Sequence, residues 1–96
     1  MFILILTYTQ PLPEVNKHVP AHRDYLDKNY AAGNFICSGA QKPRTGGIIV
    51  CRAASREEVE TIIAEDSFLI NGVAKYQIIE FTASKYAAGV ESFIDK

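Results

Sequence analysis

The chain has no apolar stretch long enough to cross a bilayer, almost no excess of charge of either sign, only two cysteines, and neither internal repeats nor low-complexity segments. Each absence removes a class of function. The opening apolar run, Met1 to Leu6, is far shorter than a membrane span. It also lacks the charged start and small-residue cleavage site of a signal peptide, so a cytoplasmic protein with no membrane partner is expected. A net charge of -1, with Lys and Arg scattered along the chain, offers no footprint for a phosphate backbone and argues against a nucleic-acid partner. Cys37 and Cys51, in a chain with no export signal, are read as free, buried apolar thiols; a bond between them would need their strands to pair in the right register. The phosphate-loop motif is missing too, because Gly46-Gly47 precede strand-like rather than helical residues.

What is present is an ordinary globular composition, 48% hydrophobic and 22% charged over 96 residues, which predicts one folded domain spanning 1–96. Phe2 to Thr9 reads as a strand whose first five positions are all apolar, the pattern of a strand buried on both faces. After the break at Gln10 to Pro13, a helical stripe runs Val15, Val19, His22, Leu26, Tyr30, with Gly33 ending the helix. Pro20 either kinks that helix or stands in the first turn of its regular part. Asn34 to Ala40 and Gly46 to Ala53 read as a hairpin closed by the polar turn Gln41 to Thr45. Ser55 and Glu58 form a capping box ahead of Val59, Ile62 and Ile63, which marks a second helix ending near Glu65 and Asp66. An irregular piece, Ser67 to Val73, leads to a fourth strand over Ala74 to Thr82, and Ser84 to Lys96 forms a weak terminal helix or tail.

This order, βαββαβ, predicts an α+β fold. Right-handed crossovers place both helices on one face of a four-stranded antiparallel sheet. Because Phe2 to Leu6 and Ile48 to Cys51 are apolar at successive positions, the other face also carries apolar side chains, and a second copy of the chain is the simplest cover. A homodimer through the open sheet face is therefore expected.

Two residues stand out chemically. His22 lies on the inward stripe of the first helix, where an imidazole is costly to bury without a partner. Asp66 falls at the C-terminal end of the second helix, where the macrodipole disfavours a carboxylate. Each has an ordinary structural explanation: His22 as a packed ring bonded to backbone, Asp66 as a cap on the turn Ser67-Phe68. Ser38 and Gly39 end the second strand and could offer a hydroxyl and a close backbone approach to a ligand, against the plain alternative of a strand end. Arg44, with Lys42 in the same turn, could hold a substrate carboxylate at a pocket rim or simply be solvated. His18, His22 and Asp66 form a minor candidate for a divalent-metal triad, weakened by Pro20 between the histidines. An RNA-recognition module is argued against by the lack of any aromatic residue in Gly46 to Ala53.

Taken in order, FILILTY at the start, AHRDYL around His22, ICSGAQKPRTGGIIV through the hairpin, SREEVETIIAEDSF around Asp66 and YQIIEF at Tyr76 to Phe81 resemble the YCII-related (YciI-like) family of the dimeric ferredoxin-like α+β barrel superfamily. The resemblance covers most of the chain. It implies a homodimer with sheets packed face to face. It also implies that His22 and Asp66 correspond to that family's candidate active-site pair. Asp66-Ser67-Phe68 stands where the family usually has Asp-Pro-Phe, and Ser38-Gly39-Ala40 where it often has Ser-Gly-Pro. Related members act on small cyclic or aromatic-derived compounds by proton transfer.

The leading reading is thus a small-molecule enzyme of lyase or isomerase type that needs no cofactor and no metal. His22 would act as general base and acid, and Asp66 would fix its tautomer. The alternative is a non-catalytic small-ligand-binding or dimerisation module in which the same pair is a structural hydrogen bond. A cavity beside His22 distinguishes the two, since catalysis needs room for substrate.

Overall fold

A computed structural model describes residues 1–94. Its strands are β1 (Phe2–Tyr8), β2 (Phe35–Ala40), β3 (Gly46–Cys51) and β4 (Ala74–Glu80). Its helices are α1 (Leu12–Asn16), α2 (Val19–Ala31), α3 (Arg56–Ile63) and α4 (Ser67–Ile70). The strands form one antiparallel sheet in the order β2-β3-β1-β4, the ferredoxin-like α+β arrangement that the sequence predicts.

Local chemistry explains the boundaries. Pro20 occupies the first turn of α2, where its missing N–H costs nothing, so it starts the regular helix rather than kinking it. Ahead of it, Leu12–Asn16 is a separate helical turn. Gly33 follows the α2 cap with a positive φ of 78°, and its N–H donates to the Tyr30 carbonyl. At α3, the Ser55 hydroxyl accepts from the Glu58 N–H at 3.1 Å, and the Glu58 carboxylate reaches back to the Ala54 N–H at 3.0 Å. The segment Ser67 to Val73 is more regular than its sequence suggests, since Ser67–Ile70 make the turn of α4. In the terminal segment a 3-10 turn forms at Glu91–Phe93, and the Arg52 guanidinium donates to the Ser92 carbonyl. The end of the expected tail, 95–96, lies outside the described residues.

Strand alternation divides the sheet cleanly. Phe2, Leu4 and Leu6 of β1 share a face with Ile49 and Cys51 of β3, and this face packs against Val15, Tyr25, Val59, Ile63 and Phe68 from the helical side. The opposite face carries Ile3 and Ile5, paired with Val50 and Ile48, and Ile79 of β4 beside Ile3. None of these five is fully buried.

The register of β2 shifts between Phe35 and Cys37, so Ile36 is an extra residue with no partner of its own in β3. This bulge reverses the alternation. Phe35 points into the core, and without the bulge Cys37 would follow it there. Instead Cys37 is exposed, opposite Val50 of the open face. The expectation of two buried thiols therefore holds for Cys51 alone. No disulfide joins the two cysteines, and they are not cross-strand partners: Cys51 pairs with Phe35. The same shift turns Ser38 and Ala40 to the helical side.

Gly46 is required by close approach. A Cβ built there would overlap the Leu6 carbonyl of β1, whereas one at Gly39 would meet nothing within 4 Å. Gly46→Ala should push β3 from the centre of the sheet and destabilise the fold by several kcal/mol or prevent folding, while Gly39→Ala should change stability by only about 0.5 kcal/mol. Urea unfolding of the two variants compares them directly.

Candidate functional site

α3 ends at Ile63, and the chain turns with the Asp66 N–H donating to the Ile63 carbonyl at 3.0 Å. Asp66 is then the N-cap of α4, its Oδ1 accepting from the Phe68 N–H at 3.0 Å. A carboxylate that looks misplaced at the end of one helix is thus at the favoured end of the next. Its other oxygen, Oδ2, accepts from the Tyr76 hydroxyl at 2.6 Å. Tyr76 can reach it because it pairs with Leu6 and so lies on the helical side of β4. The Asp66 side chain is 0% exposed.

His22 closes the group. Its Nδ1 lies 2.7 Å from Asp66 Oδ1, and its ring stacks on Phe68 with centroids 3.9 Å apart and planes 6° from parallel. Asp66 accepts at both oxygens, so the proton of this bond belongs on His22 Nδ1. That leaves Nε2 as the acceptor of a ring that remains 14% exposed. Tyr25, one helical turn past His22, extends the network through a 3.2 Å contact between its hydroxyl and that of Tyr76. Tyr76 has a single proton and gives it to Asp66, so Tyr25 donates to Tyr76. Burial pushes the Tyr76 phenol far above the usual tyrosine value, with Tyr25 and the Asp66 charge adding to the effect. Burial likewise raises Tyr25, with the Asp66 charge adding to the effect. Both phenols therefore stay protonated and act as donors.

His22 lines a cavity of 650 Å³ between the sheet and α2. The cavity exists because the helical face of the β2–β3 hairpin is built from small residues, Ser38, Ala40 and Gly47, beside Leu6. Apolar walls come from Leu6, Val19, Leu26 and Phe68.

Of the residues singled out from the sequence, His22, Ser38, Gly39 and Arg44 line this cavity, whereas Asp66, Lys42 and His18 do not. Asp66 stands behind His22, bonded to it. The Ser38 hydroxyl is 2.6 Å from the Tyr30 hydroxyl. Gly39, paired with Ile48, belongs to the open-face row of β2, and the free space at its Cβ position means that packing within the chain does not demand a glycine there. Arg44 donates to the Asn16 side chain at 2.9 Å, with its guanidinium 5.6 Å from the centre of the Tyr8 ring. His18 precedes α2, and its carbonyl accepts from the Ser67 hydroxyl. Among the described residues no three His, Cys, Asp or Glu side chains gather as a metal site.

Sequence reasoning missed Tyr25 and Tyr76 as members of the group. The signal for Tyr25 was its spacing of three from His22, which puts both on one helix face. The signal for Tyr76 was strand alternation, but the long-range contact with Asp66 depends on how α4 docks on β4, which no local pattern reports.

The comparisons with known proteins bear on fold and family. No curated protein matches. Among solved structures, 5-chloro-2-hydroxyhydroquinone dehydrochlorinase (TftG) from Burkholderia phenoliruptrix AC1100, in complex with 2,5-dihydroxybenzoquinone, is similar with a TM-score of 0.70 and 22% sequence identity, over 84% of this chain and 93% of that one. At that identity the likeness shows a shared fold. The YCII-related domain matches residues 1–82, every strand of the sheet and every helix of the site included, and the chain therefore belongs to the YCII-related family.

Proposed function

We propose that the chain is a small-molecule enzyme of lyase or isomerase type in which His22 moves the proton. The observation that carries this reading is the His22–Asp66 pair at 2.7 Å set on the wall of a 650 Å³ cavity. That volume lies within the usual range of small-molecule sites. With Nδ1 bonded to Asp66, Nε2 accepts a proton from a substrate O–H or C–H. The electron pair released from that bond shifts through the substrate and expels a leaving group or moves a double bond. The imidazolium so formed is stabilised by the buried Asp66 carboxylate and returns its proton to solvent or to another atom of the product. Asp66, Tyr76 and Tyr25 act through His22 and are positioning residues.

The dehydrochlorinase neighbour, which removes HCl from a chlorinated hydroquinone, supports an elimination of this kind. The test is enzyme-dependent chloride release from small chlorinated hydroquinones, with incorporation of solvent deuterium followed in parallel for isomerisation. The absence of both across a panel of such rings, from folded protein, would favour the binding-module reading. Asp66 gives that reading its footing, because it also caps α4 and so would be kept without catalysis.

The active unit on this reading is a homodimer formed through the open sheet face. Support comes from the apolar row Val50, Ile3, Ile79 across β3, β1 and β4, with Ile79 40% exposed in the single chain. Light scattering should give twice the chain mass. Ile3→Lys should give the mass of one chain while the protein remains folded, because that residue faces away from the core cluster.

A further inference from the structure

The cavity next to His22 is electrostatically one-sided. The chain has 11 acidic and 10 basic residues, yet no Asp or Glu lines this cavity, while Arg23 and Arg44 both do. Neither arginine has an ion-pair partner among the described residues. Arg44 is nevertheless held in place, by the Asn16 side chain at 2.9 Å and by the Tyr8 ring under its guanidinium. One N–H is spent on Asn16, and the remaining donors of the fork have no partner among the described residues. A cation positioned by neutral groups at the mouth of an apolar cavity is arranged for an anion that comes from outside. Asp66, the nearest buried negative charge, is 0% exposed and lies behind His22, so it does not face the entering ligand.

We propose that this cavity takes a small ring-shaped organic oxyanion, a carboxylate or an ionised acidic phenol. Arg44 binds the oxyanion, Arg23 adds its charge, and the ring lies against Leu6, Val19, Leu26 and Phe68 on the side of His22. The assignment names the substrate class of the proton-transfer site and rests on that reading only for the chemistry after binding. It makes Arg44 the chief determinant of specificity for charged over neutral rings.

The experiment uses the full chain and three probes of similar shape: benzoate, 4-nitrophenolate and the neutral benzamide, titrated at low salt and pH 8 while backbone amide NMR shifts are followed. The expected result is saturable binding of at least one of the two anions, with shifts at the Gly39, Gly46 and Gly47 amides. Benzamide should bind at least about tenfold more weakly, and added salt should weaken the anion. Whichever anion binds more tightly identifies the oxyanion as a carboxylate or a phenolate. Arg44→Gln should weaken binding by about tenfold or more, and Arg23→Gln by less. The amide spectrum of each variant reports whether it is folded, and the salt dependence of the unaltered protein is a second measure that needs no variant. Equal affinity for benzamide and benzoate, no binding of either anion, or unchanged anion binding in a folded variant carrying both Arg23→Gln and Arg44→Gln would overturn the assignment. His22→Gln separates this inference from the catalytic one: it should leave anion affinity within a few fold while turnover is lost.

Discussion

His22→Gln should lower turnover by about 10²–10⁴-fold, the usual contribution of a positioned acid–base group, while the protein stays folded. The glutamine amide can still donate toward Asp66 Oδ1, and it occupies much of the same space against Phe68, so a melting temperature close to that of the parent is expected. What it cannot do is accept a proton and carry it. Loss of activity together with a normal melting curve assigns the effect to chemistry. Equal rates in the two proteins would leave His22 with no more than a packing role.

Asp66→Ala should show the opposite balance, a large loss of stability. The carboxylate accepts from the Tyr76 hydroxyl, the Phe68 N–H and His22 Nδ1, all at a side chain that is 0% exposed. Removing it leaves buried donors with no acceptor, strips α4 of its cap, and should cost about 3–5 kcal/mol, a large fraction of the stability of a small protein. Denaturant unfolding of this variant against Tyr76→Phe, which removes only one of the donors, measures how the network shares that cost. Asp66→Asn keeps one acceptor oxygen and should retain more of the fold. It should nevertheless slow turnover, because a neutral amide does not stabilise the imidazolium.

The sheet, its helices and the His22–Asp66 pair were legible because each writes a local pattern. Strand positions show as apolar runs, α3 as the capping box at Ser55, and the two site residues as polar groups at positions where their surroundings disfavour them. The features that were not legible depend on register and docking. Cys37 was expected to be a buried thiol on general grounds, and the extra residue Ile36, which no local pattern announces, turns it outward. The single turn of α4 is too short to show a helical period, so the role of Asp66 as its cap was visible only as a turn. Tyr76 and Asp66 are ten residues apart, and their 2.6 Å bond arises from the fold of the intervening turn over β4. The cavity is a negative feature, produced by the absence of side-chain bulk at Ser38, Ala40 and Gly47, and its presence depends on those three landing on one face.

The central claim, that His22 offers a free Nε2 to a ligand in the cavity while Asp66 holds Nδ1–H, is tested most directly by nitrogen-15 NMR of the His22 ring with and without a saturating small ring anion. The account predicts that the proton of the neutral ring sits on Nδ1, bonded to Asp66, and that Nε2 shifts when the ligand binds. A ring protonated at Nε2 instead, or His22 resonances unchanged by a ligand that saturates the protein, would contradict it.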